Sequence, residues 1–281
     1  MPGARPRKMR FTFAAVGRNE ARTLSAVIAE AQRAARPGDR VWFVDSASTD
    51  DSIAIARELG VEVIEAPEGK GRAIAAALER CNDGYICLLD ADQFHWTVNI
   101  PAALRAGAVA TGADMVVGTY TDNRRRVIQP YIYWPLIEQL LPEYGRQCDP
   151  TPLSGLRVID ATLPLGVLPP GYGIETYLNL ITAAAGRRIA TTDLGVVLGP
   201  LRGYTNVHEL AAAVGTTILD FAERTGVLEP AQRPEWDRWV GELIDAMATP
   251  PPPGAPDEQF LAELDALASR PFPPAVHADF S

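Results

Sequence analysis

Lysine is nearly missing from this 281-residue chain: of its 26 basic residues only Lys8 and Lys70 are lysine. A lysine at position 70 therefore departs from a strong compositional habit and asks for a reason. Cysteine is scarce as well. Cys81, Cys87 and Cys148 are odd in number and lack metal-type spacing, which excludes a disulfide framework and reads as reduced, mostly buried thiols in a cytoplasmic protein. No apolar run reaches the ~18 residues of a spanning helix, so no membrane partner is expected. Positive charge is in deficit, 26 basic against 35 acidic residues for a net charge of −9, and this argues against a nucleic-acid partner, which binds to a basic face. The first ten residues are basic, but Gly17, Arg18, Asn19 and Glu20 interrupt the apolar stretch behind them, so they do not form a signal peptide. No internal repeat is present. What remains, 47% hydrophobic and 22% charged, is the composition of a folded protein with one large domain or two small ones.

Along the first half, apolar runs alternate with amphipathic stretches. Phe11 to Val16, Val41 to Val44, Val61 to Ile64 and Tyr85 to Leu89 read as strands. Glu20 to Ala35, Asp50 to Leu59 and Gly71 to Arg80 read as helices between them. That rhythm predicts βαβ units and a parallel sheet, whose doubly covered strands read as unbroken hydrophobic runs. After Asp92 the pattern predicts a helix over Pro101–Gly107, a strand over Met115–Tyr120, a helix over Tyr131–Leu141 and a loop over Pro150–Arg157. It then predicts a PPGYG turn at Pro169–Gly173, a helix over Ile174–Ala185, a strand over Arg188–Gly195 and helices over Val207–Thr225, Pro234–Met247 and Asp257–Ser269.

In open α/β sheets ligands bind beyond the carboxyl ends of the strands, so the polar residues there are the candidates. Asp90-Ala91-Asp92 can bring two carboxylates to one hard cation that keeps phosphate oxygens as further ligands; alone, the pattern is equally a solvated turn. Asp45, opening Asp45-Ser46-Ala47-Ser48-Thr49-Asp50-Asp51, can accept hydrogen bonds from a base or ribose, while Ser48 or Thr49 caps the next helix. Lys70, in Gly69-Lys70-Gly71, sits where a helix dipole disfavours a cation. A bound anion such as a diphosphate would explain it, and the GxxxxGK[ST] spacing of a P-loop is absent. Arginine grips phosphate and carboxylate in a fork, which makes Arg124, Arg125, Arg126, Arg157 and Arg202 candidates for an anionic acceptor. Tyr131, Tyr133 and Trp134 read as core aromatics rather than a sugar platform, and His95 reads as packed against Trp96.

Taken together, Asn19-Glu20, the Asp45–Asp51 segment, Gly69-Lys70-Gly71 and Asp90-Ala91-Asp92 resemble the nucleotide-sugar half of GT-A glycosyltransferases of the family 2 type. Pro135-Leu136, Leu141-Pro142-Glu143, Pro152-Leu153-Ser154-Gly155, Pro170-Gly171-Tyr172-Gly173-Ile174-Glu175 and Asp193-Leu194-Gly195 follow in the order found in glucosyl-3-phosphoglycerate synthases. The resemblance runs from about Phe11 to Thr217. It implies an α/β GT-A fold: a Rossmann-like half with a mostly parallel sheet, an acceptor-side region and C-terminal helices. It also implies transfer of a hexose, with retention, from a nucleotide diphosphate sugar such as UDP-glucose to a small hydroxyl acceptor, with Mg²⁺ or Mn²⁺. Carried over by position, Gly17, Glu20 and Ser46 contact the uridine, Lys70 the diphosphate, and Asp90 and Asp92 the ribose and metal, with Ala91 between them. Leu153, Ser154 and Gly155 border the acceptor, and Glu175 lies near the transferred sugar. The family's metal-binding His-Arg-Asn stretch is replaced by Val196–Gly203, with His208 slightly later as the substitute ligand. The family's Pro-Ala-Leu before Asn-Glu reads Gly17-Arg18 here.

The expected organisation is a basic tail (1–10), a nucleotide-sugar half (11–120), an acceptor half (121–225) and a helical extension (226–281) that contains a Pro-rich linker (249–256), with the last helix after it an appendage. The helices after Val207 are compatible with a homodimer. Three alternatives stay open: an inverting transferase with Glu175 as base, a sugar-nucleotidyltransferase, for whose Gly-rich loop Gly17-Arg18 offers a fragment, and a non-catalytic nucleotide-sugar binder.

Overall fold

The computed structural model describes residues 9–122, 127–199, 207–248 and 258–276. In chain order they form β1 (Phe11–Gly17), α1 (Leu24–Ala34), β2 (Arg40–Ser46), α2 (Ser52–Glu58), β3 (Glu62–Ala66), α3 (Lys70–Arg80), β4 (Tyr85–Asp90), β5 (His95–Trp96), α4 (Ile100–Thr111) and β6 (Met115–Thr121). A π-helical turn (Gln129–Tyr133), α5 (Trp134–Leu140), a 3₁₀ stretch (Pro142–Cys148), β7 (Arg157–Asp160), α6 (Ile174–Ala184), β8 (Ile189–Leu198), α7 (Val207–Arg224), α8 (Arg233–Met247) and α9 (Glu258–Ala268) follow. The strands make one eight-stranded sheet in the order β3-β2-β1-β4-β7-β6-β8-β5.

β1 to β4 are mutually parallel, as the unbroken apolar runs predicted. Both faces are covered. Phe11, Phe13, Ala15, Cys87 and Leu89 point to α1, α2 and α4, and Ala14, Val16, Trp42, Val44, Ile86 and Leu88 point to α3 and α6. The parallel register sets Gly17 beside Asp45 and Val16 beside Asp90. All four carboxyl ends thus meet at one edge, where the polar motifs lie.

β7 departs from the expected rhythm. The sequence read as loop up to Arg157, yet Arg157–Asp160 slots antiparallel between β4 and β6. Four residues give no periodicity to read, and the pairing partners are distant in sequence. The first helix also begins later than expected, at Leu24 rather than Glu20. Asn19 adopts a left-handed φ of 58°, and Glu20 O instead closes a turn on the amides of Thr23 and Leu24. α4 starts on Asn99, whose Oδ1 accepts the Ala102 amide, with Pro101 in the first turn, and it ends on left-handed Gly112, the usual signals of start and stop.

The last helix, α9, is not an appendage. Ile132, Tyr133, Leu136, Ile218, Phe221, Trp236, Trp239, Leu243, Phe260 and Leu264 share one buried cluster, so a boundary at 225/226 would cut through a core. Phe272 stacks on Trp236 with ring centroids 5.9 Å apart, and Tyr131 Oη donates to Asp265 at 2.8 Å. As expected, Tyr133 is a core aromatic; Tyr131 and Trp134 pack on its margin. Among the described residues no helix is long and apolar enough to cross a membrane.

Candidate active site

The loops after β1 and β2 are laced together. Asn19 N donates to Ser48 Oγ at 2.8 Å, and Thr49 N donates back to Asn19 Oδ1 at 2.7 Å. Glu20 N reaches Ser52 Oγ at 2.9 Å and Ala21 N reaches Asp50 Oδ2 at 3.1 Å. Ser48 and Thr49 therefore do not cap α2 as expected: Ser48 Oγ serves the β1 loop, and α2 begins after Asp51 without a side-chain cap. Burial alone would raise the Asp50 pKa, but the hydrogen bonds from Ser52 and Ala21 prevail and hold it below the usual carboxylate range. Ala47 carries a φ of 59°, which strains an L-residue by about 1–2 kcal/mol. Strain of this kind collects where a ligand site over-determines the backbone.

Asp45 lies beneath this clasp, 2% exposed. Its Oδ2 accepts the Ser48 amide at 3.0 Å, while Oδ1 is buried with no hydrogen-bond partner among the described residues. A buried carboxylate oxygen without a donor is costly, and an N–H from a ligand would complete it. Next to it, Ser46 Oγ accepts the Gly69 amide at 2.9 Å, which ties the third loop to the second.

That third loop docks on the PPGYG turn. A Cβ on Gly71 would stand 1.8 Å from the Pro169 carbonyl oxygen, so only glycine allows the approach, and Arg72 N donates to Pro170 O at 3.1 Å. The docking brings Lys70 across to α6. Its Nζ lies 2.9 Å from Asp90 Oδ1 and 2.6 Å from Glu175 Oε1. Burial would lower the Lys70 pKa, but the Asp90 and Glu175 charges outweigh it and raise it above its ordinary value. Glu175 is 5% exposed in the first turn of α6, where the helix dipole also favours a carboxylate. From the other side Gly155 closes on Asp90: a Cβ there would come within 2.3 Å of its Oδ1. Lys70, Asp90, Glu175 and the 150–156 loop thus form one polar cluster at the strand ends.

Comparison with known proteins agrees with this geometry. Residues 17–141 match the family model described as Glycosyl transferase family 2. Uncharacterised glycosyltransferases of Mycobacterium tuberculosis and Mycobacterium bovis are 30% identical over 200 residues, spanning 66% of this chain and 83% of theirs. The chain belongs to glycosyltransferase family 2. Among solved structures, glucosyl-3-phosphoglycerate synthase of Mycobacterium tuberculosis, in complex with Mn²⁺, UDP-glucose and phosphoglyceric acid, superposes with a TM-score of 0.68. It shares 25% identity over 76% of this chain and 80% of its own. The same enzyme with Mn²⁺, UDP and glucosyl-3-phosphoglycerate gives the same values. Its complex with Mg²⁺ and UDP has a TM-score of 0.69 at 24% identity, covering 80% and 85% of the two chains. The fold is GT-A, and this family 2 member is a glycosyltransferase acting on a nucleotide sugar.

Within the transferase, the sequence candidates fall into three sets. Asp45, Ser46, Lys70, Asp90, Asp92 and Glu175 gather along the strand-end edge, with Gly17 and Glu20 opening the first loop. A second set is structural. Ala91 is buried, its amide donating to Val16 O at 3.0 Å. Its carbonyl accepts Thr23 Oγ1 at 2.7 Å, so both its polar groups are engaged within the fold. Arg157 is wholly enclosed and cannot touch an acceptor directly as the sequence suggested. Ser154 is 2% exposed, its Oγ accepting the Leu156 amide at 3.2 Å; of Leu153, Ser154 and Gly155 only Leu153 reaches solvent. His95 does not pack on Trp96: successive strand residues face opposite ways, and His95 is exposed on β5. In the third set, Arg202 and Arg124, Arg125 and Arg126 lie outside the described residues, and His208 is exposed on the first turn of α7. Sequence reasoning missed Asn179, whose side chain accepts from Arg157 and donates to Pro152 O; a lone Asn inside an apolar helix gives no signal of its own.

Among the described residues no three His, Cys, Asp or Glu side chains gather into a cation cage. The edge instead offers carboxylate oxygens, with Asp90 paired to Lys70 and Asp92 half-buried two residues on. Such an open oxygen set fits a hard cation that draws its other ligands from diphosphate and water.

Proposed function

We propose that this protein transfers glucose from UDP-glucose, assisted by Mn²⁺ or Mg²⁺, to a small anionic acceptor hydroxyl with retention of configuration. The observation that carries the reading is the partly buried Lys70–Asp90–Glu175 cluster at the strand ends, with the unpaired Asp45 oxygen at the same edge. Asp45 Oδ1 accepts an imide N–H, which uracil presents. Gly17, Glu20 and Ser46 frame the nucleoside. Lys70 faces the diphosphate, and Asp92, with His208, holds the cation. When bound, the cation neutralises charge developing on the leaving diphosphate, and Lys70 supplies fixed positive charge to the same oxygens.

Glu175 orients hydroxyls of the transferred sugar. Its carboxylate is drawn onto Lys70 at 2.6 Å instead of being presented to an acceptor, which favours retention over the inverting reading with Glu175 as base. In the front-face step the bond from sugar C1 to the phosphate oxygen breaks, and the bond to the acceptor oxygen forms on the same face. The leaving phosphate oxygen takes the acceptor proton. The acceptor meets the sugar beside Leu153–Gly155, with Arg202 as an anion contact. The reaction belongs to the cytoplasm, where the three buried thiols stay reduced.

The test is a matrix of nucleotide sugars and hydroxy acids, begun with UDP-glucose, Mn²⁺ and 3-phosphoglyceric acid, read by mass and by the product's anomeric proton. An α-linked hexosyl product is expected. A β-linked product would move Glu175 to the role of base, and UDP binding without transfer or donor hydrolysis would overturn the enzymatic reading.

A further inference from the structure

Arg157 is a fully buried cation, 0% exposed, with no carboxylate paired to it among the described residues. Taking a guanidinium out of water costs several kcal/mol unless its donors are satisfied. Here neutral oxygens satisfy them. Nε donates to Ser154 O at 3.0 Å, and one terminal nitrogen donates to the same carbonyl and to Pro152 O. The other donates to Asn179 Oδ1 at 3.0 Å and to Glu175 O at 3.4 Å. Asn179 completes the arrangement: its Nδ2 donates to Pro152 O at 2.8 Å. One side chain from β7 thus holds two segments far apart in sequence. The first is the 150–156 loop, whose Gly155 closes on Asp90. The second is the first turn of α6, which carries Glu175.

A leucine or methionine would fill this space without burying a charge, but it would leave the carbonyls of Pro152, Ser154 and Glu175 without this donor. Packing does not explain the arginine, whereas a planar fork that fixes two backbones at once does. We infer that Arg157 is a positioning residue: with Asn179 it clamps the acceptor-side loop to the head of α6, and so sets the spacing between Glu175 and the Asp90–Gly155 wall of the site. This rests on the proposed role of that site in sugar transfer.

Arg157→Met keeps length and removes charge; Arg157→Lys keeps charge and removes the fork. The clamp predicts that both variants melt cooperatively and bind UDP with Mn²⁺ within about three-fold of the wild type. Amide hydrogen exchange should rise at least ten-fold in residues 151–156 and 175–179 and nowhere else. UDP-glucose turnover should fall at least thirty-fold at unchanged donor KM, and lysine should not rescue it. Unchanged exchange in both segments, unchanged turnover in a folded variant, or turnover lost only in step with UDP affinity would each overturn the clamp. If Arg157→Met does not fold, Asn179→Ala, which removes one member, should give the same pattern at lower amplitude, and its absence is equally decisive. A wild type that binds UDP but turns over no nucleotide sugar refutes the proposed function instead, and the exchange measurement still judges the clamp.

Discussion

Replacing Lys70 by methionine separates its structural from its ligand-binding role. The ammonium lies 2.9 Å from Asp90 and 2.6 Å from Glu175, with about a quarter of its side chain exposed. Methionine leaves two carboxylates facing each other without the ammonium between them. Removing one partner of a buried pair costs about 3–5 kcal/mol, and the partial exposure places this case at the lower end, ~3 kcal/mol. At roughly 2 °C per kcal/mol for a chain of this size, Tm should drop by about 6 °C at pH 7. The sign of the pH dependence follows from the raised pKa of Lys70. Its contribution is fully present below the unfolded lysine value of about 10.4 and is lost as pH climbs through the higher folded value. The gap between wild type and variant should therefore persist across neutral pH and close only in strong alkali. On the ligand side, a charge-assisted hydrogen bond is worth about 1.5–3 kcal/mol, so UDP affinity should fall about ten- to a hundred-fold while uridine affinity holds. Melting scans from pH 6 to 11, with calorimetry of UDP and uridine, measure both effects. Equal losses for UDP and uridine would refute the diphosphate role, and an unchanged Tm would refute the buried cluster as a source of stability.

Asp92→Ala should abolish the Mn²⁺-dependent part of UDP binding and leave uridine binding and Tm intact; calorimetry with and without Mn²⁺ decides, and an unaltered metal effect removes Asp92 from the cation. Glu175→Gln keeps shape but loses charge, so a retaining enzyme that uses it to orient sugar should show about a ten-fold lower kcat and a higher donor KM. A hundred-fold fall at constant KM would instead point to a base. Truncation before Thr249 exposes the surface that Phe260 and Leu264 cover. At ~1.5–3 kcal/mol per buried side chain it should cost about 3–6 kcal/mol, and a truncated chain with the wild-type Tm would restore the view of α9 as an appendage.

The sequence by itself determined the parallel part of the sheet. β1, β2 and β4 were legible because strands buried on both faces are largely apolar, the edge strand β3, which exposes Glu62 and Glu65, by its Val63-Ile64 pair, and the site candidates because short polar segments between such runs must fall at the strand ends. That logic located Asp45, Lys70, Asp90 and Asp92, and the scarcity of lysine marked Lys70. Glu175 was visible as the residue closing a Pro- and Gly-rich turn, but its ion pair with Lys70 was not. The contact depends on Gly71 pressing against Pro169, a meeting of two loops that local pattern does not encode. Tertiary structure alone decided the arrangement of the chain around β7 and α6. β7 is too short to show a period and exists because β4 and β6 flank it. Arg157 read as a surface anion contact because arginine usually is one, and it became a buried clamp only when the strand turned its side chain toward α6. The C-terminal helices were seen as helices from their apolar spacing, yet whether they hung free or closed the core turned on the partner surface their apolar faces met. Local sequence sets which residues want burial or a charge partner; which partner they receive is settled by long-range packing.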